Sequence, residues 1–319
     1  MKKQLTLIGA VTGFSVMMIK LMFLTIEAAK FGSGFLALFI VLVSFFILAF
    51  ILALLKVIKK GEFFIEYDKE IIYAVVILFS ALIVYFFGVE FKLDKNITVG
   101  ILALFFGIFF KKYALEATLG AFIGAGIYIN TGYLGVIIVS LIVVFVRISF
   151  KGVFNGLGGK LGTIAFVGGL VAFIVLQESF GVGQAKNIAD LIPVITVSLT
   201  SALLTFSINN ELKLGPVTAY AIVLLLGSIF LLFEATKNLD LSTVVYGSAL
   251  IGMSKKQECE SYFVVILASI IFSLFALVGV SFINIGGRSG LLALISVIIA
   301  KEIYITIKKV PLGIKEEAY

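Results

Sequence analysis

The sequence contains no histidine and no tryptophan, and it has one cysteine, Cys259, and three prolines among 319 residues. Without histidine the chain has no imidazole for a zinc site, a haem ligand or acid–base catalysis. A single cysteine excludes an intrachain disulfide. We therefore predict no catalytic residue, no metal site and no cofactor, and we expect that the protein is not an enzyme.

Charged side chains are also scarce, at 13% of residues, whereas 61% are hydrophobic and the mean hydropathy is +1.22. Soluble domains carry about 25% charged residues. This composition excludes a soluble enzyme and a nucleic-acid-binding domain, and its apolar residues suffice for about eleven crossings of a bilayer. The net charge of +7 then favours basic cytoplasmic loops, since such loops are rich in Lys and Arg.

Twelve apolar segments bounded by charged or turn residues predict an all-α polytopic integral membrane protein. They span residues 5–29, 35–57, 71–91, 97–110, 118–130, 134–150, 161–177, 191–208, 216–235, 241–253, 262–283 and 291–307. We divide the chain into two N-terminal transmembrane helices (1–57), a first set of five segments (58–177), and a second set of five with a short cytoplasmic tail (178–319).

Two glycine-rich motifs indicate that the second set repeats the first. The run LGGKLGTIA at 157–165 matches IGGRSGLLA at 285–293, 128 residues later. Each run comes just before the last segment of its set, and the third segment of each set is short. Similarity of glycine-rich apolar composition is the alternative explanation. Agreement in the order, length and motif position of five segments favours a duplication.

Charge counting predicts the orientation. If all twelve segments cross and the N-terminus is cytoplasmic, 18 of the 25 Lys and Arg residues lie inside and six outside, with Lys20 within a span. If the two short segments dip in and return, the inside count falls to 16. The positive-inside rule favours the first arrangement, in a plasma (inner) membrane with both termini cytoplasmic. Five crossings per set then make the two sets inverted repeats.

The two short, glycine-containing segments and the two glycine motifs are the predicted binding site for a small solute or ion. Paired short segments are typical of the site in inverted-repeat transporters. The candidates are Glu116, Thr118, Gly120, Gly124 and Asn130 in the first set, Asp240, Ser242, Thr243, Gly247 and Ser248 in the second, and Asn155, Lys160, Asn284 and Arg288 at the motifs. The alternatives are charges at helix ends for Glu116 and Asp240, and tight turns for the motifs.

Lys20 and Glu27 lie seven residues apart in the first segment and therefore share a helix face. They are either functional intramembrane charges or charges that reach the membrane surface.

The function predicted is a secondary transporter that moves a small solute or ion by alternating access, with coupling to a proton or another cation as an open option. A channel and the membrane subunit of a multi-component transport complex are the alternatives, ahead of an intramembrane enzyme. The expected partners are the bilayer and the transported solute, with a homo-oligomer or an accessory subunit left open and no nucleic acid.

Overall fold

The structure is a computed structural model that describes residues 2–31, 33, 37–42, 44, 47, 67–126, 128, 130–182, 187–232, 241–279 and 281–309. The described residues are helical and contain no strand, apart from an isolated bridge between Val182 and Ser281. Residues 37–42 of the second predicted segment are helical, and most of the remainder of that segment lies outside the described residues.

Eleven helices of eight or more residues carry the architecture of the described chain. They are α1 (Lys2–Ala29), α2 (Tyr67–Glu90), α3 (Lys95–Phe109), α4 (Ala114–Gly124), α5 (Gly132–Ser149), α6 (Lys160–Leu176), α7 (Leu191–Asn210), α8 (Pro216–Leu232), α9 (Leu241–Gly252), α10 (Tyr262–Val278) and α11 (Arg288–Lys309). A single turn (Lys256–Cys259) and two 3-10 turns (Lys111–Tyr113 and Ile188–Asp190) connect them.

Four helical stretches are long and apolar enough to cross a membrane, by length and composition alone: Lys69–Glu90, Gly132–Ser149, Ile188–Asn210 and Arg288–Lys308. Five further apolar helices are shorter than 18 residues. The protein is thus an all-helical chain with candidate membrane spans. Its division into two, five and five crossings stays a prediction.

Local sequence signals account for several helix starts. Asp94 precedes α3, and its side chain accepts hydrogen bonds from the backbone N–H groups of Asn96 (2.9 Å) and Ile97 (3.1 Å). Such a cap satisfies N–H groups that the first helical turn leaves without partners. Helix α8 begins at Pro216, whose ring fixes φ at a helical value where no backbone donor is needed.

The helices of the first set, α2–α6, pack against one another in the same pairs as those of the second set, α7–α11. Helix α2 packs on α3, α4 and α5, and α7 correspondingly packs on α8, α9 and α10. Likewise α4 packs on α6 as α9 does on α11, and α5 on α6 as α10 does on α11. The two sets meet chiefly where α3 contacts α8 and where α6 contacts α11.

Helix α1 lies outside both sets and packs against α5, α6 and α10. Its second half presents one buried stripe, which includes Met17, Leu21 and Leu24. Lys20 and Glu27 lie on the same stripe and are also buried. Residues seven apart lie on one helix face, and because this face is buried, both charged side chains point into the protein.

The third helix of each set is short, as the sequence predicts. Helix α4 has 11 residues and α9 has 12. Helix α4 begins four residues earlier than predicted and ends at Gly124, so Asn130 belongs to the turn before α5 and not to the short helix. At 1.5 Å per residue, these helices are about 17–18 Å long.

Candidate functional site

Helices α6 and α11 cross at two glycines in their first turns, Gly162 and Gly290. A Cβ atom added to Gly162 would lie 2.6 Å from the Cα atom of Gly290, and one added to Gly290 would lie 2.5 Å from Gly162 Cα. Gly159, three residues before Gly162, meets the backbone of Leu294, four residues after Gly290. Because residue numbers rise along one helix as they fall along the other, the two helices run antiparallel at this crossing.

The contacts at the crossing recur with the two sets exchanged. Gly159 approaches the backbone N of Leu294, and Gly287 approaches the backbone N of Phe166; each residue of the second pair differs from its counterpart by 128. Gly159 and Gly287 have φ values of +86° and +84°, which side-chain-bearing residues rarely adopt. The matching glycines of the two motifs therefore have the same structural role, because each turns the chain into a helix and admits the opposite backbone.

Each glycine motif also docks on the short helix of the other set. A Cβ atom at Gly158 would collide with the carbonyl oxygen of Leu250 in α9, and one at Gly286 would collide with that of Phe122 in α4. The backbone N–H of Gly158 donates to Ser254 Oγ, just after α9, at 2.9 Å. The short helices and the glycine motifs, which the sequence placed in one candidate site, are thus in direct contact.

The second meeting place of the two sets is the packing of α3 against α8. A Cβ atom at Gly100 would lie 2.8 Å from the Leu225 side chain, and one at Gly107 would lie 2.7 Å from Thr218 Oγ1. These contacts also run in opposite directions along the chain. Helices α3 and α8, the second members of their sets, are therefore antiparallel neighbours.

Three aromatic rings meet between the sets, on α4, α8 and α9. The ring centroid of Phe122 lies 5.9 Å from that of Tyr220 and 5.4 Å from that of Tyr246, and the two tyrosine rings are 6.1 Å apart. All three residues are buried. The sequence analysis did not single them out, because aromatic residues recur throughout the predicted spans.

Glu116 lies in a buried ion-pair network at the start of α4. Arg147, near the end of α5, donates through Nη2 to Glu116 at 2.7 Å and through Nη1 to Glu70 at the start of α2. Lys151 contacts the other oxygen of Glu70 at 3.1 Å, and the Arg147 guanidinium lies 4.5 Å from the ring centroid of Tyr73. The network contains two carboxylates and two cations, so its charges balance. Because Arg147 in α5 contacts both Glu70 in α2 and Glu116 in α4, the network links these three helices. Glu70 and Arg147 are too distant in sequence to be predicted as partners of Glu116.

The small residues of the short helices have packing roles. Gly120 and Gly124 admit the backbone carbonyls of Ile77 and Ala81 in α2, and Gly247 admits the ring of Phe272. Gly120 and Gly124 meet residues that rise in number together, so α4 runs parallel to α2.

Two of the hydroxyl groups predicted for the site, those of Thr118 and Ser248, donate hydrogen bonds to carbonyl groups of their own helices. Thr118 and Ser248 are buried, and each donates to the carbonyl four residues earlier, at 2.7 Å. Ser242 and Thr243 lie in the first turn of α9 and are partly buried. Asp240 lies outside the described residues.

The predicted asparagines are spread over two ends of the fold. Asn130 is exposed; its backbone N–H donates to Glu178, after the end of α6, at 3.1 Å. Asn284 is buried and donates through Nδ2 to the carbonyl of Ser179 at 3.3 Å. Asn155 accepts a hydrogen bond from Lys160, the first residue of α6. These residues therefore do not form a single cluster.

Arg288, the first residue of α11, belongs to a partly buried cluster that includes helix α1. It donates to the carbonyl oxygens of Gly279 (3.2 Å) and Ser281 (3.4 Å). Lys20 Nζ donates to the same Ser281 carbonyl at 3.3 Å, and Ser281 Oγ donates to the Glu27 carboxylate. The Lys20 ammonium also lies 5.5 Å from the ring centroid of Phe282. Only the tertiary fold brings α1 to the second glycine motif.

Within the described ranges, no group of three or more Asp, Glu, Cys or His residues could hold a metal ion. Comparison with protein-family models, curated proteins and solved structures finds no match to this chain.

Proposed function

We propose that the protein is a secondary transporter of the plasma membrane, built from two inverted five-helix sets, which moves a small solute or ion by alternating access. The observation that carries the proposal is the antiparallel crossing of two equivalent helix starts at Gly162 and Gly290. Inverted repeats that meet near the membrane midplane are a recurrent plan of secondary transporters.

The inverted relation follows from the direction of equivalent helices. Two equivalent helices related by a two-fold axis along their length run parallel, whereas an axis perpendicular to them makes them antiparallel. The two equivalent pairs with the most extensive contacts among the described residues, α3 with α8 and α6 with α11, are antiparallel. This supports a pseudo-two-fold axis perpendicular to the helices, and hence parallel to the membrane plane.

Alternating access requires contacts between the sets that break on one side at a time. At the loop before α6, the Lys255 N–H donates to the Gly156 carbonyl at 2.8 Å, next to the Gly158–Ser254 bond. Beyond the other end of α6, the Ile283 N–H donates to the Gly181 carbonyl at 3.1 Å. We propose that these two groups of hydrogen bonds close the two sides of the transporter in turn.

The first set then moves as one body, because Arg147 joins three of its helices. Glu116 serves this internal network in our proposal, and not the coupling of ion movement. Asp240, which the sequence predicts at the binding site, is our candidate for the group that couples ion movement. Both termini are proposed to be cytoplasmic, as the positive-inside rule predicts.

Labelling from the two sides of the membrane tests the inverted architecture. In a Cys259→Ser background, we would introduce single cysteines at Lys69, in the first turn of α2, and at Asn187, just before α7, both of which are exposed. A membrane-impermeant thiol reagent should label them from opposite sides. Glu90→Cys, at the far end of α2, is the control and should label from the same side as Asn187→Cys. Labelling of Lys69→Cys and Asn187→Cys from one side would refute the inverted repeat.

Transport itself is tested in proteoliposomes loaded with candidate small anions and other solutes. A carrier should show saturable uptake that unlabelled solute on the opposite side accelerates. A channel is the second candidate, since the same architecture can enclose a pore. Persistent single-channel currents would establish a channel and refute the carrier mechanism.

A further inference from the structure

We propose that helix α1 is a lock that holds one gate of the protein closed. The gate is the loop of residues 281–284, here called the gate loop, which precedes the second glycine motif. It carries one of the two groups of hydrogen bonds that we propose to open in turn. The lock rests on the proposed function in one respect, because it assumes that the gate loop moves away from α6 when that side opens.

The last third of α1 holds the gate loop through polar and aromatic contacts. Lys20 Nζ donates to the carbonyl oxygen of Ser281 at 3.3 Å, and Ser281 Oγ donates to the Glu27 carboxylate. The ring of Phe23 meets the ring of Phe282 edge-on, with the centroids 5.3 Å apart and the planes at 88°. Side chains three, four and seven residues apart lie on one helix face. One face of α1 therefore grips two consecutive residues of the loop.

Helix α1 also bridges the two sets at this gate. A Cβ atom added to Gly279, directly after α10, would lie 3.0 Å from a methyl carbon of Leu24, which is fully buried. On its other contacts, α1 packs against α5 and α6 of the first set. The gate loop therefore cannot leave the first set without breaking contacts with α1 or displacing that helix.

On its opposite side the gate loop is held by α6 and the chain that follows it. The Ile283 N–H donates to the carbonyl of Gly181 at 3.1 Å. The ring centroid of Phe282 lies 5.3 Å from that of Phe180 and 6.1 Å from that of Phe166. Phe282 is thus the residue at which α1 and α6 hold the same loop.

The backbone of Phe282 is in a conformation that these contacts must maintain. Its φ is +63°, in the left-handed region that side-chain-bearing residues rarely adopt. Phe154, 128 residues earlier and before the first glycine motif, has a φ of +54°. Such strained residues persist only where the surrounding structure holds them, and they cluster at switch regions. Release of the contacts to Phe282 therefore favours a change in the loop.

Helix α1 makes the two gates unequal. The equivalent loop before α6 is held by the second set, since the Lys255 N–H donates to the Gly156 carbonyl at 2.8 Å. The gate loop is held by α1 in addition to the chain after α6. Loss of the α1 contacts should therefore open the gate loop selectively, whereas a general loss of stability should loosen both loops.

Two equivalent cysteine reporters test the lock in the full-length protein in nanodiscs, where a water-soluble maleimide reaches both sides. In a Cys259→Ser background, Ile285→Cys reports the gate loop. Ile285 is buried, and its side chain would lie 2.7 Å from a Cβ atom added to Gly169 in α6. Leu157→Cys, at the equivalent position 128 residues earlier, reports the other gate. Each labelling rate measures how often its site opens.

Variants on both sides of the contact make the test specific. Phe23→Ala should raise the labelling rate of Ile285→Cys by about threefold or more, because it removes an edge-to-face aromatic pair. It should not raise the labelling rate of Leu157→Cys. Ser281→Ala, which removes the side-chain donor of the loop, should act in the same direction. Ile26→Ala, at a 63% exposed position of the same helix, is the matched control and should leave both rates unchanged.

Two results would overturn the lock. One is an unchanged labelling rate of Ile285→Cys in both Phe23→Ala and Ser281→Ala. The other is an equal rise at Leu157→Cys, which would indicate a general loosening of the protein. Because labelling needs no solute, selective exposure of Ile285→Cys in a protein without saturable uptake would refute the carrier and preserve the lock. Saturable uptake without selective exposure would do the opposite.

Discussion

Replacement of the glycines at the α6–α11 crossing should destabilise the protein, because backbone meets backbone there. The Cβ atom of Gly162→Ala would lie 2.6 Å from Gly290 Cα, whereas carbon atoms in contact are about 3.5–4.0 Å apart. No side chain can rotate away, so the helices must separate by about 1 Å.

The expected loss follows from two opposing terms. Overpacking typically costs about 1–3 kcal/mol, and the higher helix propensity of alanine returns at most ~1 kcal/mol. We therefore expect Gly162→Ala to lower the free energy of unfolding by about 1–2 kcal/mol. Far-UV circular dichroism, with denaturant in mild detergent, measures this change in a chain without tryptophan.

Two further variants make this prediction strict. Gly88→Ala, in a helix where an added Cβ atom meets nothing within 4 Å, should be neutral or stabilising. The double variant Gly162→Ala/Gly290→Ala should lose less stability than the sum of the single losses, because one separation of the helices relieves both contacts. If Gly162→Ala is as stable as Gly88→Ala, the close crossing does not exist as described.

Three other outcomes are expected. Arg147→Met should lower stability by on the order of 3 kcal/mol, since it leaves the buried Glu116 carboxylate without its cation and leaves Glu70 with Lys151 alone, and thermal unfolding should show a smaller loss for Glu116→Gln. Asp94→Ala should cost about 1 kcal/mol through loss of the α3 cap, whereas Asp94→Asn should retain most of the stability; equal losses would refute the cap. Burial raises the pKa of the Cys259 thiol, so at pH 8–9 the folded protein should hold less thiolate and react more slowly with iodoacetamide than the denatured protein; equal rates would contradict this.

The sequence predicted the helical membrane-protein class because that depends on composition alone. Apolar side chains at this density have no stable place in water. The short third helices and the matching glycine motifs were also predictable, because helix length and glycine spacing are local properties of the chain.

The partners of the charged residues were not predictable. Glu116 was singled out as a charge next to a short helix, yet Glu70 and Arg147 that neutralise it come from helices far away in sequence. Lys20 and Glu27 were known only to share a face, and nothing local indicated that Ser281 would join them. Pairing between distant residues depends on how helices pack, which a hydropathy pattern does not specify.

Composition and local pattern therefore specify what the chain is made of: apolar helices, two of them short, and two equivalent glycine motifs. Helix packing specifies what those motifs do, because only packing brings Gly162 against Gly290 and sets α6 and α11 antiparallel. Packing also specifies which charged side chains meet which partners, since the Arg147 ion pairs and the hydrogen bond from Lys20 to Ser281 each join segments that are distant in sequence.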